Sequence, residues 1–269
     1  MHKLHEIREA VKKQQPLIHC ITNPISINQC ANGILAIGAR PIMAEHPAEV
    51  REITETSDAL MLNLGNITDA RMLSMKISMK TAAEKKIPVI LDAVGVACSQ
   101  LRRNYIAELL ETGIPTVIKG NYSEIFALHH AAYRSSGVDA DTAINVDSIR
   151  TASAELALRY HTAVLVSGKV DVVTDGKRVV YIKNGTTQLS AVTGTGCMLG
   201  ALCGAYLSVC PDMDAATTAC VMLGTCGQIA ETPKGSGSFM VNLLDALSTL
   251  TDVKLDQYKN TEESQYERF

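Results

Sequence analysis

A chain of 269 residues, 46% hydrophobic and 20% charged, has ample apolar surface for one large core, and no linker-like stretch divides it. A net charge of −3 with acids and bases interspersed gives no footprint for nucleic acid or anionic lipid. No apolar run approaches the ~20 residues of a membrane span, and Met1–Gln15 is charged and lacks a signal-peptide core, so a cytoplasmic protein is expected.

In chain order, aliphatic runs predict strands at Leu17–Ile21, Pro41–Ala44, Ala59–Leu64, Pro88–Asp92, Thr116–Lys119, Ala163–Ser167, Asp171–Thr174 and Arg178–Lys183. Amphipathic spacing predicts helices at Ile25–Ile37, Pro47–Thr56, Asp69–Lys86, Arg102–Glu111, Ser123–Tyr133 and Val146–Tyr160. This alternation implies an α/β fold, a mainly parallel sheet with helices on both faces. Asp175-Gly176-Lys177 joins the last two strands as an antiparallel hairpin. Ser135–Thr142 has the composition of a loop. After Cys197 the chain turns helical, over Met198–Val209, Asp212–Glu231 and Ser238–Leu250. One domain spanning 1–269 is expected, with the charged residues 254–269 as a peripheral tail.

Eight cysteines, at 20, 30, 98, 197, 203, 210, 220 and 226, include no CxxC pair. Their spacing fits neither a disulfide framework nor a zinc site, and most lie where a thiol serves as a small hydrophobe. Apart from Cys197, the thiols are expected to be slow to react through burial.

Thr193-Gly194-Thr195-Gly196-Cys197 runs straight into a small-residue helix. A glycine-rich turn at a helix start leaves backbone N–H groups unpaired at the positive end of the dipole, so Gly194, Thr195 and Gly196 form a candidate anion hole. Both glycines are expected to need conformations or close approaches that a Cβ forbids. A simple turn leading into a helix, around a buried small residue, explains the segment equally well. It is not a Walker A loop, because GxxxxGK[ST] is absent, and it comes too late for a dinucleotide fingerprint. No histidine is placed by sequence to pair with Cys197 in a cysteine hydrolase.

Ligands of open parallel sheets bind beyond the carboxyl ends of the strands. Those ends carry Thr22-Asn23-Pro24, Met43, Asn63-Leu64-Gly65-Asn66, Asp92, Lys119-Gly120-Asn121 with Glu124, and Ser167-Gly168. Each has an ordinary local explanation. Asp92 could cap a helix, Asn121 and Glu124 form a capping box, Ser167-Gly168 open a hairpin, and Met43 belong to the core. His19 reads as a satisfied core histidine, and His129-His130 as a half-exposed pair without chemistry. Together with the glycine turn, however, one sheet edge collects more polar groups than turns require.

The segments Ile21–Pro24, Ala31-Asn32-Gly33, Pro41–Ala44, Val89–Asp92, Lys119–Ile125, Val192–Cys197 and Lys234–Phe239 resemble the hydroxyethylthiazole kinase family, which is ribokinase-like and serves thiamine salvage. The likeness covers nearly the whole chain, in order. It implies phosphorylation by ATP, with Mg²⁺, of the primary alcohol of 5-(2-hydroxyethyl)-4-methylthiazole. It places Asn23, Met43 and Gly194 at the thiazole, Lys119, Asn121, Ser167 and Gly168 at ATP, and Asp92 and Glu124 at the metal or its waters. Lys119 and Ser167 stand where relatives commonly have Arg and Thr, and Asp92-Ala93-Val94-Gly95 replaces the usual Asp-Pro-Val-Gly. The resemblance also implies a homotrimer with sites at subunit interfaces, where Met43 would serve a neighbour.

Cys197 stands where many ribokinase-like sugar kinases have an aspartate base, and is expected to be a weak or partial base. A helix N-terminus lowers a thiol's pKa, while a nearby γ-phosphate raises it. Kinases of other vitamin alcohols, hydroxymethylpyrimidine or pyridoxal, and a non-catalytic nucleotide sensor are the competing readings. Asp92, Glu124 and the glycine turn together speak against the sensor.

Overall fold

The computed structural model describes residues 2–130, 132–135 and 144–266, so the expected loop at Ser135–Thr142 lies, beyond Ser135, outside the described residues. The chain opens on α1 (His2–Gln14), a helix beyond those the sequence predicts. It continues through β1 (Leu17–Ile21), α2 (Ile27–Ala36), β2 (Arg40–Ile42), α3 (Val50–Glu55), β3 (Ala59–Asn63), α4 (Asp69–Lys85), β4 (Val89–Asp92), α5 (Gln100–Thr112), β5 (Val117–Asn121), α6 (Tyr122–His129), α7 (Val146–Tyr160) and β6 (Ala163–Ser167). The hairpin β7 (Asp171–Thr174) and β8 (Arg178–Ile182) follows. Then come α8 (Thr187–Ser190), α9 (Thr195–Leu207), α10 (Met213–Ala230), α11 (Ser236–Thr249), α12 (Asp252–Tyr258) and β9 (Thr261–Gln265).

Among the described residues the strands form one sheet, in the order β2-β1-β3-β4-β5-β6-β7-β8-β9. Pairing is parallel from β2 to β6 and antiparallel from β6 to β9. Chain order reverses between β1 and β3, which makes their carboxyl ends the topological switch point, where such sheets open a crevice. The β7–β8 turn forms as expected. Gly176 sits at φ +86°, and Asp175 Oδ1 accepts from the N–H groups of Lys177 and Arg178.

The period of two along each strand divides two cores. Ile18, Cys20, Met61, Ile90 and Val117 face a layer built on α2, α9, α10 and α11. Ile21, Leu60, Leu62, Leu91 and Ile118 face the layer of α4 to α7. Helix α9 is buried on nearly every side, which is why its sequence is apolar all round. Gly200 lets it lie against the sheet, because a Cβ there would stand 2.9 Å from Met61 Cε.

Some boundaries move in ways that matter for function. Strand β2 ends at Ile42, so Met43 lies just beyond it, and β5 extends through Asn121. Helix α9 starts at Thr195 rather than Met198, which puts Thr195, Gly196 and Cys197 in its first turn. Residues 252–265 form a helix and the sheet's ninth strand.

Candidate active site

The strand periodicity that sends Met61, Ile90 and Val117 toward α9 sends Asn63, Asp92 and Lys119 the same way, two residues later. Register aligns them: Asn63 pairs with Asp92, and Asp92 with Lys119, across β3, β4 and β5. Asp92 Oδ2 accepts from Lys119 Nζ at 2.9 Å and from Asn63 Nδ2 at 3.1 Å. Asn63 Nδ2 also lies 3.3 Å from Cys197 Sγ, while its Oδ1 accepts the Gly65 N–H at 2.7 Å, which fixes the amide's orientation. Asp92 and Lys119 are 1% and 4% exposed. Burial raises the Asp92 carboxyl against the opposing pull of Lys119. Burial alone would lower the Lys119 ammonium, but Asp92 outweighs it and holds the charge. Asn63, absent from the expected site residues, links this ion pair to the thiol.

Glu124 makes the expected capping box. Its Oε2 accepts the Asn121 N–H at 2.7 Å, and Asn121 Oδ1 accepts the Glu124 N–H at 2.9 Å. Its other oxygen accepts the Gly95 N–H at 2.7 Å, tying α6 to the turn that follows Asp92. Burial and then the Asp92 charge push the Glu124 carboxyl up to about 7. The local and metal-binding readings therefore coexist on one side chain. Among the described residues Asp92 Oδ1 is buried with no close hydrogen-bond partner, though the nearby Val94 N–H favours the carboxylate's charge. Two carboxylates with one such oxygen suit a hard cation that keeps waters and phosphates as its other ligands, as Mg²⁺ does. Among the described residues no cluster of three or more Asp, Glu, His or Cys would hold a metal unaided.

Helix α9 opens at Gly194, whose φ of +92° favours glycine. The first intrahelical bond there runs from the Met198 N–H to the Gly194 carbonyl at 2.8 Å, which leaves the N–H groups of Thr195, Gly196 and Cys197 ahead of it. Gly196 differs from expectation. It has no positive φ, and a Cβ on it would meet nothing within 4 Å, so the fold itself does not require glycine there. Burial and then Asp92 raise the Cys197 pKa, outweighing Ser26, Lys119 and Asn63, so the thiol stays protonated near neutrality. Cys98 is exposed and Cys210 half-buried, so burial does not protect all the other thiols as expected.

On the far side of this turn lies a cleft of about 640 Å³, bounded by the β6–β7 loop, the segment Lys183–Ser190, α10, and Thr195 and Leu199 of α9. This is the size of a small-molecule site. Ser167 and Gly168 line it. Gly168 gives its N–H to Asp171 Oδ1 at 2.9 Å and passes so close to Tyr122 that a Cβ would fall 2.4 Å from the ring, so packing requires this glycine. Asp171, on the cleft wall, is pushed up to about 7 by burial. Lys119 and Asn121 are not among the cleft's lining residues; Lys119 lies under α9 and Asn121 caps α6.

Asn23 and Asn63 meet above Gly65, where a Cβ would come within 2.9 Å of Asn23 Nδ2 and 2.7 Å of Asn63 Oδ1. Met43 packs half-buried at the edge of the α9-side core. Arg71, missed by the sequence reading, binds the carbonyls of Thr22 and Asn66 and the Glu45 carboxylate, tying together the loops after β1, β2 and β3. His19 is a satisfied core residue, bonded to Thr54 Oγ1 and the Ala44 carbonyl. His129 pairs with Glu155, away from the site.

The sequence and the fold have counterparts in known proteins. The sequence profile of the hydroxyethylthiazole kinase family matches residues 8–253. "Hydroxyethylthiazole kinase 2" of Clostridium botulinum (strain 657 / Type Ba4) is 45% identical over 252 residues, covering 92% of this chain and 95% of the relative. The solved hydroxyethylthiazole kinase protein of Pyrococcus horikoshii OT3 superposes with a TM-score of 0.89 at 33% identity, covering 98% of this chain and 100% of that one. A ribokinase-like superfamily protein of Enterococcus faecalis V583, at 11% identity with a TM-score of 0.64 over 92% of this chain and 89% of that one, shares the fold alone. Matched in sequence and in fold along nearly its whole length, the chain belongs to the hydroxyethylthiazole kinase family.

Proposed function

We propose that this protein transfers the γ-phosphoryl group of ATP to the primary alcohol of 5-(2-hydroxyethyl)-4-methylthiazole, giving the thiazole phosphate used in thiamine diphosphate synthesis. The observation that carries this reading is the position of the first turn of α9. Thr195 faces the nucleotide-sized cleft, while Cys197, two residues on, meets the Asn63–Asp92–Lys119 cluster. ATP bound in the cleft against Ser167 and Gly168 would direct its γ-phosphate to the free N–H groups of that turn. The thiazole, held by Asn23 and Gly194 with Met43 supplied across a subunit interface, would approach from the other side.

Such transfers depend on positioning and charge neutralisation more than on covalent chemistry. Asp92 and Glu124 would hold Mg²⁺, directly or through water, and the ion would neutralise phosphate charge when bound. Lys119 offsets the Asp92 carboxylate, so the pair sets no net negative charge against a polyphosphate, and it stays charged because Asp92 lies against it. Cys197, a protonated thiol beside the reacting hydroxyl, would orient that hydroxyl by hydrogen bonding and would act as its base only in the small fraction present as thiolate. Open space at Gly196 leaves room for phosphate oxygens. No described helix is long and apolar enough to cross a membrane.

A homotrimer with sites at subunit interfaces is part of the same reading. It is supported by Ile25, Leu35 and Val241, exposed at 61%, 55% and 59% on or beside α2 and α11, which pack together. Light scattering giving three copies would agree with it, and a monomer would remove it.

The test of function is ATP consumption with the thiazole alcohol, hydroxymethylpyrimidine and pyridoxal in parallel, with the product identified by mass. Preference for the thiazole by kcat/KM is expected. Preference for another alcohol would move the assignment, and nucleotide binding without turnover on any of the three would favour a sensor.

A further inference from the structure

The family profile ends at residue 253, yet the chain continues into α12 and β9. Strand β9 is polar and mostly exposed, so it adds little to either core. What it and the preceding turn hold is one wall of the cleft. Asn184, on that wall and 6% exposed, spends its side chain on this segment. Its Nδ2 donates to the Tyr258 carbonyl and to Gln228 Oε1, both at 2.8 Å, and its Oδ1 accepts the Asn260 N–H at 2.9 Å. The neighbouring Lys183 N–H donates to the Asn260 carbonyl at 2.9 Å. Helix α10 admits Asn184 only because residue 224 is glycine, whose Cβ would stand 2.7 Å from that of Asn184.

From this anchor the chain runs directly to the reacting turn. Gly185 turns it at φ +143°, Thr186 caps α8, and Gln188 bonds the backbone of Thr232 at both ends of its amide. Thr195 Oγ1 then donates to the Leu189 carbonyl at 2.7 Å, joining α8 to the first turn of α9. The cleft wall and the anion turn are thus two ends of one short segment, pinned at its start by the C-terminal residues.

We infer that residues 254–266 are a working part of the nucleotide site, with Asn184 as the positioning residue through which they fix the wall at 183–190. The inference rests on reading the cleft as the ATP site. The alternative is that β9 merely covers the edge of β8 with charge, a common protection against edge-to-edge association. Edge cover would affect stability and solubility but not nucleotide affinity.

Two full-length variants separate these. Asn184→Ala removes all three side-chain bonds, whereas Asn260→Pro removes the N–H that Asn184 accepts, keeps the Asn260 carbonyl that Lys183 bonds, and leaves residue 184 intact. ADP binding by calorimetry, KM for ATP and for the alcohol, and thermal unfolding are measured on each. We expect ADP binding to weaken and KM for ATP to rise, by about tenfold for Asn184→Ala and about threefold for Asn260→Pro, in line with net hydrogen-bond worth. KM for the alcohol should move less than twofold. If Asn184→Ala does not fold, Asn260→Pro alone decides. A folded variant that unfolds earlier yet binds ADP as the wild type does, or that loses ADP and alcohol alike, overturns the inference. A wild-type chain that binds no ADP overturns the nucleotide reading and this inference with it.

Discussion

Replacing Lys119 by Met isolates the electrostatics of the buried pair. The new side chain keeps the apolar stem that passes Gly200 and deletes the ammonium 2.9 Å from Asp92 Oδ2. Asp92, 1% exposed, then keeps only Asn63 as a partner on that oxygen. Removing one member of a buried pair typically costs about 3–5 kcal/mol, because the remaining charge stays desolvated. The carboxyl can limit this cost by taking up a proton, since burial already raises it and the loss of Lys119 raises it further. An acid whose folded pKa is raised contributes stability below its unfolded pKa, and loses it as pH rises through the folded value. The destabilisation relative to wild type should therefore be small near pH 5 and reach about 3–5 kcal/mol at pH 8. Glu124, which Lys119 also favours in its charged form, moves the same way. Urea unfolding of both proteins at pH 5 and pH 8 measures the difference. The double variant with Asp92→Asn should recover much of the loss at pH 8. A penalty below about 1 kcal/mol at pH 8, or one equal at both pH values, would show that the pair is not the buried, coupled unit described.

Gly194→Ala should destabilise the fold by about 1 kcal/mol or more through its positive φ. Gly196→Ala should leave stability unchanged and weaken phosphate binding, so a loss of stability in Gly196→Ala with normal ATP kinetics would reverse the two roles. Cys197→Ala should lower kcat by about tenfold and leave thiazole binding nearly intact, because general-base help is worth at most about 10²–10⁴ and this thiol is held protonated. Initial rates decide it, since a fall beyond 10⁴ would make the thiol an obligatory base. With Glu124 at about 7 and Asp171 at about 7, kcat/KM for Mg-ATP should fall as pH drops below neutrality, and Glu124→Gln should remove part of that dependence. Both raised acids make the ligand-free protein less stable as pH rises from about 4 through 7, Glu124 contributing about 3 kcal/mol. A thermal midpoint whose change over that interval is the same in Glu124→Gln as in the wild type would contradict the raised Glu124.

Much of the fold was legible because strand and helix periods are local. The hairpin glycine, the Asn121–Glu124 capping box and the glycine turn also carry their signals within a few residues. The missed elements have physical reasons. Helix α1 has Leu4, Ile7 and Val11 on one stripe, but the charges crowded around so few apolar residues weaken the helical signal. Strand β9 shows no apolar alternation, because it is held by ladder bonds to β8 and exposes its side chains. The site was legible in its members but not in its connections. Asp92, Lys119 and Cys197 each stand out at a strand or helix end, but the ion pair and its link through Asn63 to the thiol depend on β3, β4 and β5 being neighbours in register. Strand order is a tertiary fact, and no spacing along the chain encodes it. Cys197 shows the consequence: by position in its helix it would be an acidified thiol, and only the fold, by burying it beside Asp92, makes it a neutral one.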